Sequence, residues 1–315
     1  MGKILILGAA GQVGMDLTEK LIHVYGEKNV IASDLKIPED HKGEFVRLDA
    51  SDLDALSKVI HQQSITIIYH LVAMLSATAE KQPVRGWNLN MNTLFNVLEL
   101  AKNGAIKQVF WPSSIAVFGP DTPKINTPQK TIIEPTTIYG ISKYAGELLC
   151  QWYCINHKVD VRSLRYPGII SWKTEPGGGT TDYAVDIFYK AILDKHYTCF
   201  LNSNTRLPMM YIDDAIDATI QIMEADYERI KHRTSYNISA LDFTPDELYQ
   251  EIKKYIPEFQ IEYIPDYRQK IADGWPQSID DSQARSDWGW KPKFDLQRTT
   301  RTMISQLKQK LGVTT

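Results

Sequence analysis

Tyr139 and Lys143 are the residues whose types and spacing best suit proton transfer, because they lie four positions apart on a predicted helix. Residues i and i+4 of a helix are neighbours on one face, so the phenol and the ammonium would lie side by side. A free phenol has a pKa of about 10 and is a poor base at neutral pH. A nearby ammonium favours the phenolate and lowers that pKa. The pair therefore predicts a base that removes the proton of a hydroxyl group.

Gly8, Gly11 and Gly14 follow a short apolar run and have the spacing G-x-x-G-x-x-G. Glycines at this spacing allow a tight turn, let a pyrophosphate approach the backbone, and permit close packing of the next helix. The anion would rest on the N–H groups at the start of that helix. A strand-to-helix turn without a ligand could use the same glycines. The predicted strand before them and the helix after them favour a dinucleotide site.

Asp34 follows Gly14 by twenty residues and ends a predicted strand. A carboxylate here would accept hydrogen bonds from the ribose hydroxyls of adenosine and repel a 2′-phosphate, a repulsion that Lys36 would only soften. The sequence therefore predicts NAD rather than NADP, the alternative being a solvated loop aspartate. With Tyr139 beside this cofactor, a hydride would leave the carbon whose hydroxyl loses its proton.

The elements that must position these residues alternate between short apolar runs and amphipathic helices in the first half of the chain. This alternation is typical of a parallel sheet covered by helices on both faces. The predicted strands are residues 3–7, 30–33, 45–48, 66–71, 109–112 and 161–166, and the predicted helices are residues 13–25, 52–63, 87–102 and 138–157. They predict an α/β fold, a doubly wound parallel sheet of the Rossmann type, with ligands at the carboxyl ends of the strands.

The alternation ends after Tyr166, where the segments become shorter and less regular. Helices are predicted at residues 182–193, 213–224 and 296–311, and strands at residues 207–212 and 236–239. Thr244 begins a further helix, with Glu247 closing a capping box. We therefore predict a Rossmann domain over residues 1–169, to which residues 210–240 return. A small C-terminal substrate-binding lobe would comprise residues 170–209 and 241–315.

The composition excludes several classes of protein. A net charge of −3 spread over 315 residues argues against a nucleic-acid-binding surface. No apolar run reaches the length of about 18 residues that a membrane span needs. The predicted strand at residues 3–7 leaves no room for a signal peptide, so we expect a cytoplasmic location. The three cysteines are expected to be reduced, and the seven histidines lack zinc-ligand spacing, so we expect no metal.

Taken together, these motifs make the chain resemble the extended short-chain dehydrogenase/reductase family over nearly its whole length. Gly8, Gly11 and Gly14 match the glycine motif of that family, and Tyr139 and Lys143 match its Y-x-x-x-K pair. The resemblance implies three catalytic residues: Tyr139 as the acid/base, Lys143 on the nicotinamide ribose, and Ser114 on the substrate oxygen. It implies the following cofactor-binding residues: Gly8, Gly11, Gln12, Val13, Gly14, Asp34, Asp49, Leu71, Ala73, Asn90, Tyr139, Lys143 and Tyr166.

Four further segments resemble L-threonine 3-dehydrogenases of the short-chain type, a group within this family. They are residues 75–77, 165–171, 176–184 and 275–282. The resemblance implies oxidation of the threonine β-hydroxyl to 2-amino-3-oxobutanoate with formation of NADH, a step of threonine catabolism. The implied substrate-binding residues are Ser76, Ser114, Tyr139, Thr180, Thr181, Asp182 and Trp275.

An amino-acid zwitterion needs one site for its carboxylate and another for its ammonium. The hydroxyls of Thr180 and Thr181 and the N–H groups of a helix start suit the carboxylate. Asp182 would accept from the ammonium, with a helix N-cap as its alternative role. Trp275 would close over the substrate and exclude water, or else anchor a core. Ser76 would offer one more hydrogen bond, or be a plain loop serine.

Other functions remain open from the residues alone. A UDP-sugar 4-epimerase or a related sugar-nucleotide enzyme could use the same scaffold, although a dehydratase is expected to carry an acidic residue where Ile115 follows Ser114. A non-catalytic NAD sensor would tend to lose the tyrosine or the lysine, and this chain keeps both. Resemblance to the family also implies a homodimer joined through the helices at residues 87–102 and 138–157.

Overall fold

The computed structural model describes residues 2–38 and 41–313. Its strands are β1 Lys3–Leu7, β2 Val30–Asp34, β3 Glu44–Arg47, β4 Ile65–His70, β5 Gln108–Phe110, β6 Ser113–Ser114, β7 Asp160–Arg162, β8 Leu164–Tyr166, β9 Gly168–Ile170, β10 His196–Cys199, β11 Leu207–Tyr211, β12 Tyr236–Asn237, β13 Leu241–Phe243 and β14 Gln260–Tyr263. Its helices are α1 Gln12–Tyr25, α2 Leu53–Gln63, α3 Ser76–Lys81, α4 Pro83–Lys102, α5 Ile138–His157, α6 Tyr183–Leu193, α7 Ile212–Glu224, α8 Pro245–Lys253, α9 Tyr267–Asp273, α10 Ser282–Trp288 and α11 Leu296–Leu311.

A six-stranded sheet with the order β3-β2-β1-β4-β5-β7 lies at the centre of the fold. Every pair of neighbours in it is parallel. Alternate residues of β1 face opposite sides: Ile4 and Ile6 belong to one apolar cluster, Leu5 and Leu7 to another. The sheet is therefore buried on both faces, and the predicted doubly wound Rossmann fold is confirmed.

The loop after β1 makes the turn that the glycine spacing predicts. Gly8 has a φ of +86°, in the region that favours glycine. A Cβ on Gly14 would lie 2.2 Å from the carbonyl oxygen of Gly8, so only glycine lets α1 pack this close to β1. The strand order reverses beside this loop, because β1 lies between β2 and β4. The carboxyl ends of these strands therefore flank a crevice.

The predicted strand at residues 161–166 is wrong in one respect, because it forms two short strands. β7 pairs with β5 in the central sheet, whereas β8 pairs with β6 and β12. Ser163 separates them, and its carbonyl accepts from the N–H of Tyr236 at 2.9 Å. Its hydroxyl bonds that of Ser235 at 3.0 Å. Ser163 therefore separates a strand of the central sheet, β7, from a strand of a smaller sheet, β8.

The second half of the chain forms small sheets, as the shorter segments predict. β9, β11 and β13 form one, and the parallel pair β10 and β14 forms another. The capping box at the start of α8 is confirmed, with Thr244 and Glu247 bonding each other's backbone N–H. A single apolar cluster extends from Ile4 in β1 to Leu307 in α11. The division into a Rossmann domain and a substrate lobe therefore stays a prediction.

Within the described residues, no helix combines the length and the apolar character that crossing a membrane requires.

Candidate active site

A cleft opens at the carboxyl edge of the central sheet, beside the glycine turn. It is lined by all three predicted catalytic residues and by all the predicted substrate-binding residues. Five further residues that are predicted to bind only the cofactor also line it. The lining residues are Gln12, Val13, Leu71, Ala73, Leu75, Ser76, Pro112, Ser113, Ser114, Ile115, Tyr139, Lys143, Tyr166, Pro167, Gly168, Ile169, Gly179, Thr180, Thr181, Asp182 and Trp275. Segments far apart in the sequence therefore meet at one place.

The first turn of α5 places Tyr139 in the same cleft as Ser114. Thr137 caps the helix by accepting from the N–H of Gly140 at 3.0 Å, as a threonine N-cap does. A Cβ on Gly140 would lie 2.1 Å from the carbonyl oxygen of Ala116. The helix can therefore press against the backbone that follows Ser114 only because residue 140 is glycine. Tyr139 and Ser114 both line the cleft as a result.

Burial controls the acidity of Tyr139. Loss of solvent raises its pKa to about 12, and the hydrogen bond with Ser114 opposes this rise. The expectation that a nearby ammonium lowers this pKa is therefore wrong for the chain alone. The Lys143 Nζ lies 5.6 Å from the centre of the Tyr139 ring and donates instead to the carbonyl of Pro112 at 2.6 Å. The loss of solvent therefore affects the pKa of Tyr139 more than the Lys143 ammonium does, because the hydrogen bond of that ammonium goes to Pro112.

Lys143 is also buried, with 3% of its surface exposed. Burial lowers its pKa to about 7, opposed by the nearby groups of Cys150 and Glu147. The Nζ lies 4.5 Å above the ring of Trp111, which favours the cation. Burial thus opposes the charged form of both the Tyr139 phenol and the Lys143 amine.

Glu147 is a site residue that sequence reasoning missed. It is fully buried and accepts from Ser113 Oγ at 2.6 Å. It also accepts two bonds from Arg165, from Nε at 2.8 Å and from a terminal nitrogen at 2.7 Å. Glu147 lies eight residues after Tyr139, so the i, i+4, i+8 spacing through Lys143 was the signal that could have found it. The network joins α5 to the strands that carry Ser114 and Tyr166.

The glycine turn fits a bound dinucleotide. Asp34 Oδ2 accepts from the N–H of Ala10 at 3.0 Å, and its Oδ1 accepts from that of Leu35 at 2.7 Å. The carboxylate therefore lies at the end of β2 and fixes the turn beside it. Gly8, Gly11 and Gly14 form the turn itself, where the crowding around Gly14 leaves no room for a side chain. These residues suit a pyrophosphate and an adenosine ribose.

Two other predicted cofactor residues make bonds within the protein. Asp49 follows β3 and accepts from the N–H and hydroxyl of Ser51 at 2.8 and 2.7 Å. Asn90 is buried, and its amide bonds both backbone groups of Met74, at 2.7 and 3.2 Å. The Asn90 Nδ2 also donates to Ser142 Oγ at 3.2 Å. Asn90 thus supports the loop that carries Ala73, and direct contact of Asn90 or Asp49 with a cofactor stays a prediction.

The wall opposite Tyr139 comes from the loop before α6. A Cβ on Gly168 would lie 2.8 Å from Cβ of Thr181, so glycine lets the two backbones approach. Thr180 is almost fully buried, and its hydroxyl lacks a hydrogen-bond partner among the described residues. Such a group costs free energy unless something binds it. It therefore fits a ligand's acceptor or donor.

Asp182 closes the turn of this loop. It occupies the N-cap position of α6, but its carboxylate accepts from the N–H of Gly179 at 2.8 Å and makes no capping bond to the helix. Ser76 begins α3, and Glu80 of the same helix accepts from the N–H of Ile138 at 2.6 Å. The short helix α3, which was not predicted, therefore joins Ser76 to the start of the helix that carries Tyr139.

The sequence pattern of the NAD dependent epimerase/dehydratase family matches residues 4–239 of this chain. The chain belongs to this family. An uncharacterized epimerase/dehydratase of Staphylococcus aureus is 48% identical over 315 residues, which cover 98% of each chain. The family resemblance seen in the residues is therefore confirmed.

Solved structures of L-threonine dehydrogenases are also similar to the chain. The holo form of a GalE-like L-threonine dehydrogenase from Cupriavidus necator is 55% identical, with a TM-score of 0.95 over 97% of this chain and 100% of that one. A monomeric L-threonine 3-dehydrogenase from a metagenome is 48% identical, with a TM-score of 0.95 over 98% of this chain and 99% of that one.

Replacing Glu147 with alanine is expected to lower the free energy of unfolding by about 3–5 kcal/mol, because Arg165 then stays buried without its carboxylate. Asp194→Ala is the matched control, since Asp194 pairs with Lys190 at 2.9 Å on the surface. Its loss should be under about 1 kcal/mol. Equilibrium unfolding in urea measures both. If the two variants lose a similarly small amount of the free energy of unfolding, the buried network of Glu147 and Arg165 does not stabilise the fold as expected.

Proposed function

We propose that this protein is an NAD-dependent L-threonine 3-dehydrogenase, which oxidises the β-hydroxyl of L-threonine to 2-amino-3-oxobutanoate. The observation that carries the proposal is that Tyr139 and Ser114 line one cleft with Thr180 and Trp275. A small polar substrate in this cleft would contact Tyr139, the proposed acid/base. It would at the same time contact the Thr180 hydroxyl, which has no hydrogen-bond partner among the described residues. The similarity to two L-threonine dehydrogenases, at 48% and 55% identity, supports this choice of substrate.

In this proposal, Ser114 binds the substrate oxygen and Tyr139 removes its proton. The serine hydroxyl and the phenol line the same cleft, so a substrate hydroxyl bound between them would contact both. NAD, when bound, accepts the hydride from the β-carbon. The glycine turn and Asp34 would hold the dinucleotide, and Lys143 and Tyr166 would lie beside its nicotinamide half. Positioned proton transfer of this kind contributes about 10²- to 10⁴-fold in rate.

Lys143 would complete the proton transfer near neutral pH. Burial lowers the pKa of its ammonium to about 7, so above that pH the amine is neutral and can take up a proton. The Tyr139 phenol keeps its own proton in this range, because loss of solvent raises its pKa to about 12. In this proposal the phenol takes the proton of the substrate hydroxyl and passes its own proton on towards the Lys143 amine, where it ends. The lysine thus sets the pH at which the phenol can act as the acid/base.

The opposite wall would hold the zwitterion. The hydroxyls of Thr180 and Thr181 would donate to the carboxylate of the substrate, and Asp182 would accept from its ammonium. Ser76 lies on the same side of the cleft. Trp275 is 93% buried and would exclude water from the reacting carbon.

We also propose a cytoplasmic location and a homodimer formed through α4 and α5. Large apolar side chains project from these helices, including Phe95 with 42%, Leu148 with 46% and Trp152 with 49% of their surfaces exposed. Covering them would bury apolar area that a soluble monomer leaves in water. One similar solved structure is described as monomeric, so the oligomeric state of this chain has to be measured directly. Sedimentation should show a dimer at micromolar concentration, and a monomer would contradict the proposal.

Formation of NADH with a panel of amino acids and UDP-sugars tests the proposed reaction. L-Threonine should give NADH, and Tyr139→Phe should lower kcat by about 10²- to 10⁴-fold while changing the Kd for NAD by less than about twofold. Tyr227→Phe, remote from the cleft, is the matched control and should keep the full rate. Conversion of a UDP-sugar without net NADH would show an epimerase instead. Full activity of Tyr139→Phe would contradict the mechanism.

A further inference from the structure

Two walls of the cleft come from segments more than 150 residues apart: the turn after Ser114 and the loop that carries Trp275. Their relative position determines how much room a substrate has between the serine and the indole. A group that bonds both segments would therefore control the fit of the substrate. Lys124 is such a group, although its side chain is absent from the cleft lining.

The ammonium of Lys124 bonds one carbonyl in each segment. Its Nζ lies 3.1 Å from the carbonyl oxygen of Gly119 and 2.8 Å from that of Gly274, the residue before Trp275. Gly274 follows the last turn of α9, where the free carbonyls of a helix favour a cation. One charge thus joins the serine segment to the end of this helix.

The backbone of Lys124 also contacts the residues on the other side of Trp275. Its carbonyl accepts from the N–H of Gln277 at 2.7 Å and from that of Ser278 at 3.2 Å. Thr127 continues the contact, forming a parallel bridge with Ile279. The ammonium and the carbonyl of Lys124 therefore bracket Trp275, one before it and one after it.

The Gly119 end of this connection is rigid. The N–H of Gly119 donates to Thr122 Oγ1 at 3.0 Å, and a Cβ on Gly119 would lie 1.8 Å from the carbonyl oxygen of Glu134. Between Ser114 and Gly119 the chain forms one turn of 3₁₀ helix, capped by Ser114 Oγ on the N–H of Ala116 at 3.2 Å. The carbonyl that Lys124 bonds is therefore fixed relative to the catalytic serine.

The Lys124 ammonium is partly withdrawn from water. Burial lowers the pKa of Lys124, and the nearby carboxylates of Asp121 and Asp273 oppose this effect. Hydrogen bonds from a charged donor are stronger than neutral ones and are screened less when solvent is excluded. The two bonds to carbonyls are therefore strong enough to hold the loop of Trp275 in one place.

We propose that Lys124 is a positioning residue of the substrate site, whose ammonium holds Trp275 at a fixed distance from Ser114. The inference rests on the proposed function, in which Trp275 covers the substrate. Lys124 touches neither the substrate nor the reacting atoms. Its effect should appear in the binding of the amino acid and leave the dinucleotide side unchanged.

Lys124→Met, which keeps the length of the side chain and removes its charge, tests this role in the full-length protein. The KM for L-threonine should rise by about tenfold or more, with a smaller fall in kcat. The Kd for NAD should stay within about twofold. Lys124→Arg can donate to both carbonyls and should restore most of the KM. Lys58→Met, the same change on the exposed face of α2, is the matched control and should behave as the wild type.

Hydrogen exchange gives a second measurement that does not depend on activity. The backbone amides of Gly274, Trp275, Gln277 and Ser278 should exchange faster in Lys124→Met than in Lys58→Met. An unchanged KM, even with a lower melting temperature, would show a merely structural role and overturn the proposal, as would unchanged exchange. If the wild type forms no NADH from L-threonine, the proposed function fails. In that case hydrogen exchange in the loop of Trp275 still tests whether the Lys124 ammonium holds this loop in place.

Discussion

The loss of solvent around Tyr139 and Lys143 is the constraint on which the rest of the site depends. In water the phenol and the amine have nearly equal pKa values, of about 10.0 and 10.4. In the cleft, loss of solvent raises the first to about 12 and lowers the second to about 7. Above about pH 7 the pair therefore holds one of its two titratable protons, the one on the phenol. The proposed reaction requires this state, because the neutral amine can then take up a proton.

Close contacts on successive turns of α5 maintain that burial. Gly140 packs against the carbonyl of Ala116, and the Nζ of Lys143 bonds the carbonyl of Pro112. One turn further, a Cβ on Gly146 would lie 2.4 Å from the ring of Trp111, so glycine again permits the approach. Glu147 then bonds Ser113. These contacts fix α5 against residues 111–116, so Ser114, Tyr139 and Lys143 keep their relative positions.

The sequence predicts the parts of this arrangement that depend on local patterns. The bounds of α5 agree with the prediction, because its N-cap and apolar periodicity are local signals. The glycine turn and Asp34 follow from spacing in the same way. The parallel pairing of β10 with β14 was not predicted, since each strand has four residues and its partner is 64 residues away. The rise in the pKa of Tyr139 was missed because it depends on burial, which spacing does not encode. Nor does any motif mark Lys124, whose two contacts form only when the chain folds.

The dependence of kcat/KM for L-threonine on pH, at saturating NAD, tests the proposed proton transfer from Tyr139 to Lys143 most directly. The Lys143 amine must be neutral to take up the proton that the phenol passes on, so activity should be lost as the pH falls through about 7, where the amine becomes an ammonium again. Above that value kcat/KM should be level. In Lys143→Met the phenol must titrate alone, and the rise should move towards its own pKa of about 12. A rise that remains near pH 7 in Lys143→Met would contradict the account.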